Sequence, residues 1–195
     1  NLTFVINIFL DMGIVNFNNR HIAQNPQLLR KHFAPIVTLR LLLGLLYFVI
    51  AFAVAAVLGY SARQFALLGI LAFNQFLLSF ILYLRSNISG QLKFVTDSFL
   101  SVLDRFLLIV FCLILLYAKC FAGKFRIEWF IFAQTAAYML TAITAFCVVL
   151  KNASFQRLKF DKKFFFLILK KSFPFAVLTL LMAFYNRVDS VMLSE

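Results

Sequence analysis

Eight charged or strongly polar side chains stand inside long apolar stretches of this chain: Asp11, Arg40, Asp97, Asp104, Arg105, Asn186, Arg187 and Asp189. An ionised group held in an apolar layer costs about 2.5–3.5 kcal/mol even on lenient scales, so each must meet a partner or line a wet cavity. Asp97, Ser101, Asp104 and Arg105 follow one another at helical offsets, which puts them on one side of a helix. That stripe reads either as an ion-pair seam between helices or as the wall of a hydrophilic cavity. Arg187 and Asp189 are separated by roughly 200° round a helix, so they need partners on other helices, and Asn186 falls on the Asp189 side. Arg40, one turn beyond Pro35, is expected to reach back to the surface. Asp11, just before Gly13, is a candidate buried partner for one of the arginines.

These groups can hold charge inside an apolar layer, but covalent chemistry has no comparable set. His21 and His32 fall in an expected loop with no third ligand or acid beside them. Cys112, Cys120 and Cys147 lack CxxC spacing and have no His or Cys neighbours. Neither a catalytic centre, a metal site nor a disulfide framework follows. No cofactor is implied, and the residues do not identify a coupling ion.

The elements that must position these charges are greasy helices. Residues 41–62, 64–84 and 129–150 carry no charged side chain, and each run reaches roughly 30 Å as a helix, the thickness of a bilayer core. The chain is 64% hydrophobic and 13% charged, whereas soluble domains carry about 25% charged residues. The reading is an all-α, polytopic transmembrane helix bundle. Its six spans are expected at 1–16, 35–60, 64–84, 94–118, 129–150 and 164–193. Beginning at Asn1 within an apolar stretch and stopping at Glu195 after another, without a signal-peptide pattern, the chain is expected to be a piece of a longer polytopic protein.

A net charge of +12 invites a nucleic-acid reading, which would need a basic face on a soluble fold. Here the cations sort by membrane side instead. Arg20, Arg30, Lys31, Arg85, Lys93, Lys151, Arg157, Lys159, Lys162, Lys163, Lys170 and Lys171 fall in or beside alternate connections. The other side has only Arg63, Lys119, Lys124 and Arg126. Basic loops stay in the cytoplasm, so loops 17–34, 85–93 and 151–163 are expected there. Residues 154–172 mix lysines with Phe and Leu and read as either an interfacial amphipathic helix or an ordinary basic loop. Pro174 is expected to bend the last helix.

Three segments carry a resemblance. Residues 9–24 (FLDMGIVNFNNRHIAQ) resemble the second-helix signature of bacterial polysaccharide and lipopolysaccharide (O-antigen-type) flippases of the MOP exporter superfamily. Residues 83–105 are similar to their fourth-to-fifth helix connection. Residues 170–194, with Ser-x-Pro followed by Tyr-x-Arg-x-Asp, are similar to the start of their seventh helix and make the most specific match. The resemblance implies that residues 1–150 are five helices of an N-terminal lobe lacking its first helix. Residues 151–163 would be a basic cytoplasmic connector, and 164–195 the first helix of a C-terminal lobe.

It further implies a multi-pass protein of the bacterial inner membrane that moves lipid-linked oligosaccharide through a cationic cavity by alternating access. The partners would be that anionic glycan lipid, membrane lipids and the rest of the same polypeptide, with no nucleic acid. Arg187 and Asp189 carry over as cavity or gate residues, Asp104, Arg105 and Asp11 less directly. The embedded cations Arg40, Arg105 and Arg187 suit a diphosphate, because the guanidinium fork bonds two oxygens at once. A drug/cation antiporter of the same superfamily would be expected to depend on embedded acids. A membrane-embedded glycan enzyme would need a catalytic His or paired carboxylates at a membrane face, and a structural membrane subunit is the remaining reading.

Overall fold

The computed structural model describes residues 10–117, 127–151 and 162–192. Among these lie six helices: α1 (Ile14–Gln24), α2 (Leu28–Val57), α3 (Ala62–Ser89), α4 (Phe94–Tyr117), α5 (Ile127–Leu150) and α6 (Lys162–Met192). Five contain a stretch long and apolar enough to cross a membrane: His32–Val57, Ala62–Ser89, Phe94–Tyr117, Trp129–Leu150 and Phe165–Met182. The all-helical bundle expected from the apolar runs is therefore what forms. In lipid a helix is the simplest way for a single segment to satisfy its own backbone.

The ends of the helices follow local chemistry. After α2, Gly59 takes a left-handed φ of 69°. Its N–H bonds to the Ala56 carbonyl and that of Tyr60 to the Ala55 carbonyl, the double closure of a glycine-stopped helix. Two residues on, the Ser61 backbone N–H donates to Gln64 Oε1 at 2.8 Å, so α3 opens with a capping box. A tight reversal between two long helices is the result.

Helix α3 is the hub, packed against α1, α2, α4 and α5, while α6 lies against α1 and α2. The main core gathers at the end where the basic connections lie, around Ile22, Phe33, Tyr83, Leu84, Ile88 and Ile168. Toward the other end the helices turn apolar faces outward, as Leu45, Val49, Val57 and Leu116 do. Lipid tails are as apolar as these side chains, so such exposure carries no penalty in a membrane. Only Leu100 and Asp104 of α4 are buried, which leaves one long side of that helix uncovered by the described residues.

Several boundaries depart from expectation. Helix α1 runs on to Gln24 and α2 begins at Leu28, so the expected loop 17–34 shrinks to residues 25–27. The reason is the i, i+4, i+8 face of Ile14, Asn18 and Ile22, which is buried and holds a polar segment helical. Helix α3 likewise continues to Ser89, leaving a turn at 90–93 of the expected loop 85–93. The connector's residues 152–161 lie outside the described residues. From Lys162 onward the chain is already part of α6, which runs through Pro174.

Close packing of α2 on α3 rests on Gly44. A Cβ there would stand 2.5 Å from the Phe76 ring. Gly44→Ala should cost about 1–3 kcal/mol of overpacking, read as a lower unfolding temperature in detergent. Adding Phe76→Leu should restore most of the loss.

Candidate functional site

The first expected span is interrupted rather than straight. Leu10 and Asp11 end a helical turn, Met12 and Gly13 adopt φ of 42° and 71°, and α1 starts afresh at Ile14. Eleven residues of α1 place this break about 16 Å from the basic end, near mid-bilayer. Helix breaks at that depth persist where they are buried in protein or line a cavity. Gly13 meets both its own strain and its neighbour: a Cβ would fall 2.7 Å from the Ser172 carbonyl and 2.8 Å from Phe175 backbone of α6.

The break aims Asp11 at Arg40. Arg40 Nη2 donates to Asp11 Oδ1 at 2.5 Å, across 29 residues of sequence. Nη1 donates to Ser79 Oγ at 2.6 Å and to the Ser79 carbonyl at 3.2 Å. The guanidinium carbon lies 5.2 Å from the centroid of the Tyr83 ring, within reach of a cation–π attraction. Arg40 is only 2% exposed, Asp11 27%. The expectation that Arg40 reaches the surface is therefore corrected. Lying inward of His32 by roughly 12 Å of helix, it has Asp11, Ser79 and Tyr83 within reach, and turning inward toward them satisfies it better than stretching to water. Its Nε alone lacks a partner among the described residues.

A second polar knot binds α1 to α3 nearer the basic end. Asn18 Nδ2 donates to Ser86 Oγ at 2.9 Å and to Asn87 Oδ1 at 3.1 Å. Ser86 Oγ and Asn87 Nδ2 both donate to the Tyr83 carbonyl at 2.7 Å. These residues did not stand out in the sequence, although two of them, Ser86 and Asn87, sit side by side where an apolar span ends.

The stripe on α4 is divided by the fold. Asp97 turns to Arg85 of α3, with Nε to Oδ1 at 2.7 Å, and so closes the α3–α4 turn. Asp104 is buried, whereas Ser101 is exposed. Arg105 is 67% exposed and only 3.6 Å contact links its Nε to Asp104 Oδ2. The four groups therefore do not act as one seam. Arg105, midway along a 24-residue apolar helix, presents a charge outward at a depth where lipid would be hostile.

His21 and His32, expected in a loop, stand on α1 and α2 with ring centroids 6.2 Å apart. Both line a cavity of about 130 Å³ between α1, α2, α3 and α6, with Lys171 on its rim. Asn74 of α3 is buried with neither end of its amide paired among the described residues. No group of three or more potential metal ligands occurs among the described residues. The side chains of Asn186, Arg187 and Asp189 lie outside the described residues, though their backbone belongs to α6.

Among the described residues the arrangement holds a neutralised buried charge pair, a mid-helix arginine turned outward and a basic, amphipathic cavity, in a multi-pass membrane protein. No curated protein and no solved structure matches it. The family described as polysaccharide biosynthesis protein does match, over residues 1–195, and with its whole length inside that family's pattern the chain belongs to it.

Proposed function

We propose that this chain forms part of a flippase that carries a lipid-linked oligosaccharide across the bacterial inner membrane by alternating access, and is not an enzyme. The observation that carries the reading is Arg105, a mid-helix guanidinium turned away from its own bundle. Acyl chains cannot solvate it, so that face of α4 borders a polar path shared with other helices of the transporter. A glycan joined to lipid through phosphate is both hydrophilic and anionic. Moving it through hydrocarbon needs a sheltered polar route with fixed positive charge. Arg40 is not available for that work, because Asp11 already neutralises it; its role is to hold the broken first span against α2 and α3. Arg187 and Asp189 complete the proposed gate on α6, and the basic ends of the bundle face the cytoplasm.

Deleting the complete gene should remove surface glycan and leave its lipid-linked precursor accumulating in the inner membrane. Within the intact protein, Arg105→Ala should lower glycan export about tenfold or more, a loss of roughly 1.4 kcal/mol or greater. Arg105→Lys should retain part of the activity, since it keeps the charge but loses the two-oxygen fork. Export at the wild-type rate in Arg105→Ala, with normal protein in the membrane, would remove the support for an anionic cargo path along α4.

A further inference from the structure

The cavity at the basic end is separate from the Asp11–Arg40 pair, neither of which lines it. Its polar wall is one-signed. His21 contributes from α1, His32 from α2 and Lys171 from α6, and no Asp or Glu is among the lining residues. Arg20 lines an adjoining hollow that shares Phe17 and His21. Asn18 and Asn87, 3% and 1% exposed, form the floor. Their amide donors are already committed to Ser86, Asn87 and the Tyr83 carbonyl. Charged or ionisable N–H donors thus converge on a space with no acidic neighbour among the described residues that line it, which an anion fits and a cation does not.

The opposite wall is greasy. Phe33, Ile36 and Ile168 are wholly or nearly buried, and Leu167 is about half exposed beside them. The apolar wall therefore runs from the cationic rim toward the lipid-facing side of α6. A free inorganic ion has no use for such a wall, whereas an anion with a hydrocarbon chain attached does. The two imidazoles stand on facing helices with ring centroids 6.2 Å apart, so one anion between them can reach both.

We infer that this cavity seats a phosphate group borne on an apolar chain, held between His21, His32 and Lys171 at the membrane surface. Lys171 supplies a point charge from the rim, the two rings supply N–H donors from facing helices, and the chain lies along Ile168 and Leu167. The site clamps α6 to α1 and α2, so its occupancy stabilises that three-helix contact. This inference rests on the membrane reading of the fold and not on the glycan proposed as cargo.

The test uses full-length protein in phosphatidylcholine bilayers doped with phosphatidic acid, a phosphomonoester lipid, followed by native mass spectrometry of the lipids retained. Wild-type protein should hold phosphatidic acid over phosphatidylcholine by about tenfold. The combined variant His21→Gln/His32→Gln/Lys171→Gln should lose that preference, and Lys171→Arg should keep it. Because Lys171 is exposed, Lys171→Gln alone should fold normally and lower the preference severalfold, which covers the case of a misfolded triple variant. Displacement of phosphatidic acid by inorganic phosphate would assign the same site to a soluble phosphate source. Equal retention of both lipids by wild-type protein, or an unchanged preference in Lys171→Gln and the triple variant, would overturn the inference. Glycan export plays no part in this readout, so the site can fail while the flippase reading stands, and the reverse.

Discussion

Asp11→Asn in the full-length protein should lower its stability by about 3–5 kcal/mol, the usual consequence of leaving one member of a buried ion pair without its counter-charge. Asn is nearly the same shape as Asp and can still accept a hydrogen bond from Arg40 Nη2, so the substitution tests charge rather than packing. Arg40 has no second counter-charge among the described residues. It is 2% exposed, its other nitrogen contacts are neutral oxygens of Ser79, and the Tyr83 face offers attraction without neutralisation.

The measurement is the unfolding temperature in detergent together with the fraction of protein that reaches the membrane. The apolar double variant Asp11→Leu/Arg40→Met should recover most of the stability, because two matched apolar groups remove both desolvation costs at once. It should also retain export if the pair serves the architecture. An Asp11→Asn protein as stable as wild type would mean that Arg40 finds another counter-charge.

The apolar layer was legible because lipid imposes it. Any segment that crosses must be long, apolar and internally hydrogen-bonded, so residues such as Leu41, Phe65 and Ile143 announce their helices without tertiary information. Helix ends were less legible, since hydrogen bonding does not stop where hydrocarbon does. Pro35 looked like a first helical residue, as Pro often is, yet α2 starts at Leu28 and carries Pro35 inside. The run 17–24 looked like a loop for its three asparagine and glutamine residues and its Arg and His. The Ile14–Asn18–Ile22 face decided otherwise once a hub helix lay alongside.

The candidate site was legible in type and not in pairing. That Arg40 and Asp11 each needed a partner follows from the cost of a charge in hydrocarbon. Which partner each takes depends on a break at Met12–Gly13 and on the rotation of α2 against α3, neither of which leaves a periodic signal. The same limit explains Asp97 and Asp104. Helical offsets put them on one side of α4, but a side spans enough arc for one to face Arg85 and the other to be buried. His21 and His32 are eleven residues apart with no motif between them; only the turn at 25–27 folds α1 back beside α2 and brings their rings together.

Gly13→Ala should be damaging out of proportion to one methyl group, by about 2–5 kcal/mol. Two independent costs add. A left-handed φ of 71° disfavours any side chain by about 1–2 kcal/mol. The new Cβ also collides with main chain rather than with a movable side chain: the Ser172 carbonyl, Phe175 and the Ala176 nitrogen. Overpacking against rigid neighbours costs about 1–3 kcal/mol more. Relief comes only by moving α6 off α1, which also separates Asn16 Nδ2 from Thr179 Oγ1, now 3.3 Å apart.

A local readout is therefore available beside stability. In a background with the native cysteines replaced, Asn16→Cys/Thr179→Cys should form a disulfide readily, and adding Gly13→Ala should slow that reaction severalfold. Since α1 and α6 meet here against Gly13, the proposed alternating-access cycle, with α6 in a second lobe, predicts that the same cross-link arrests glycan export until it is reduced. Export that continues with the bond intact would show that the α1–α6 contact stays closed throughout the cycle. Such a result would move the gate elsewhere in the bundle.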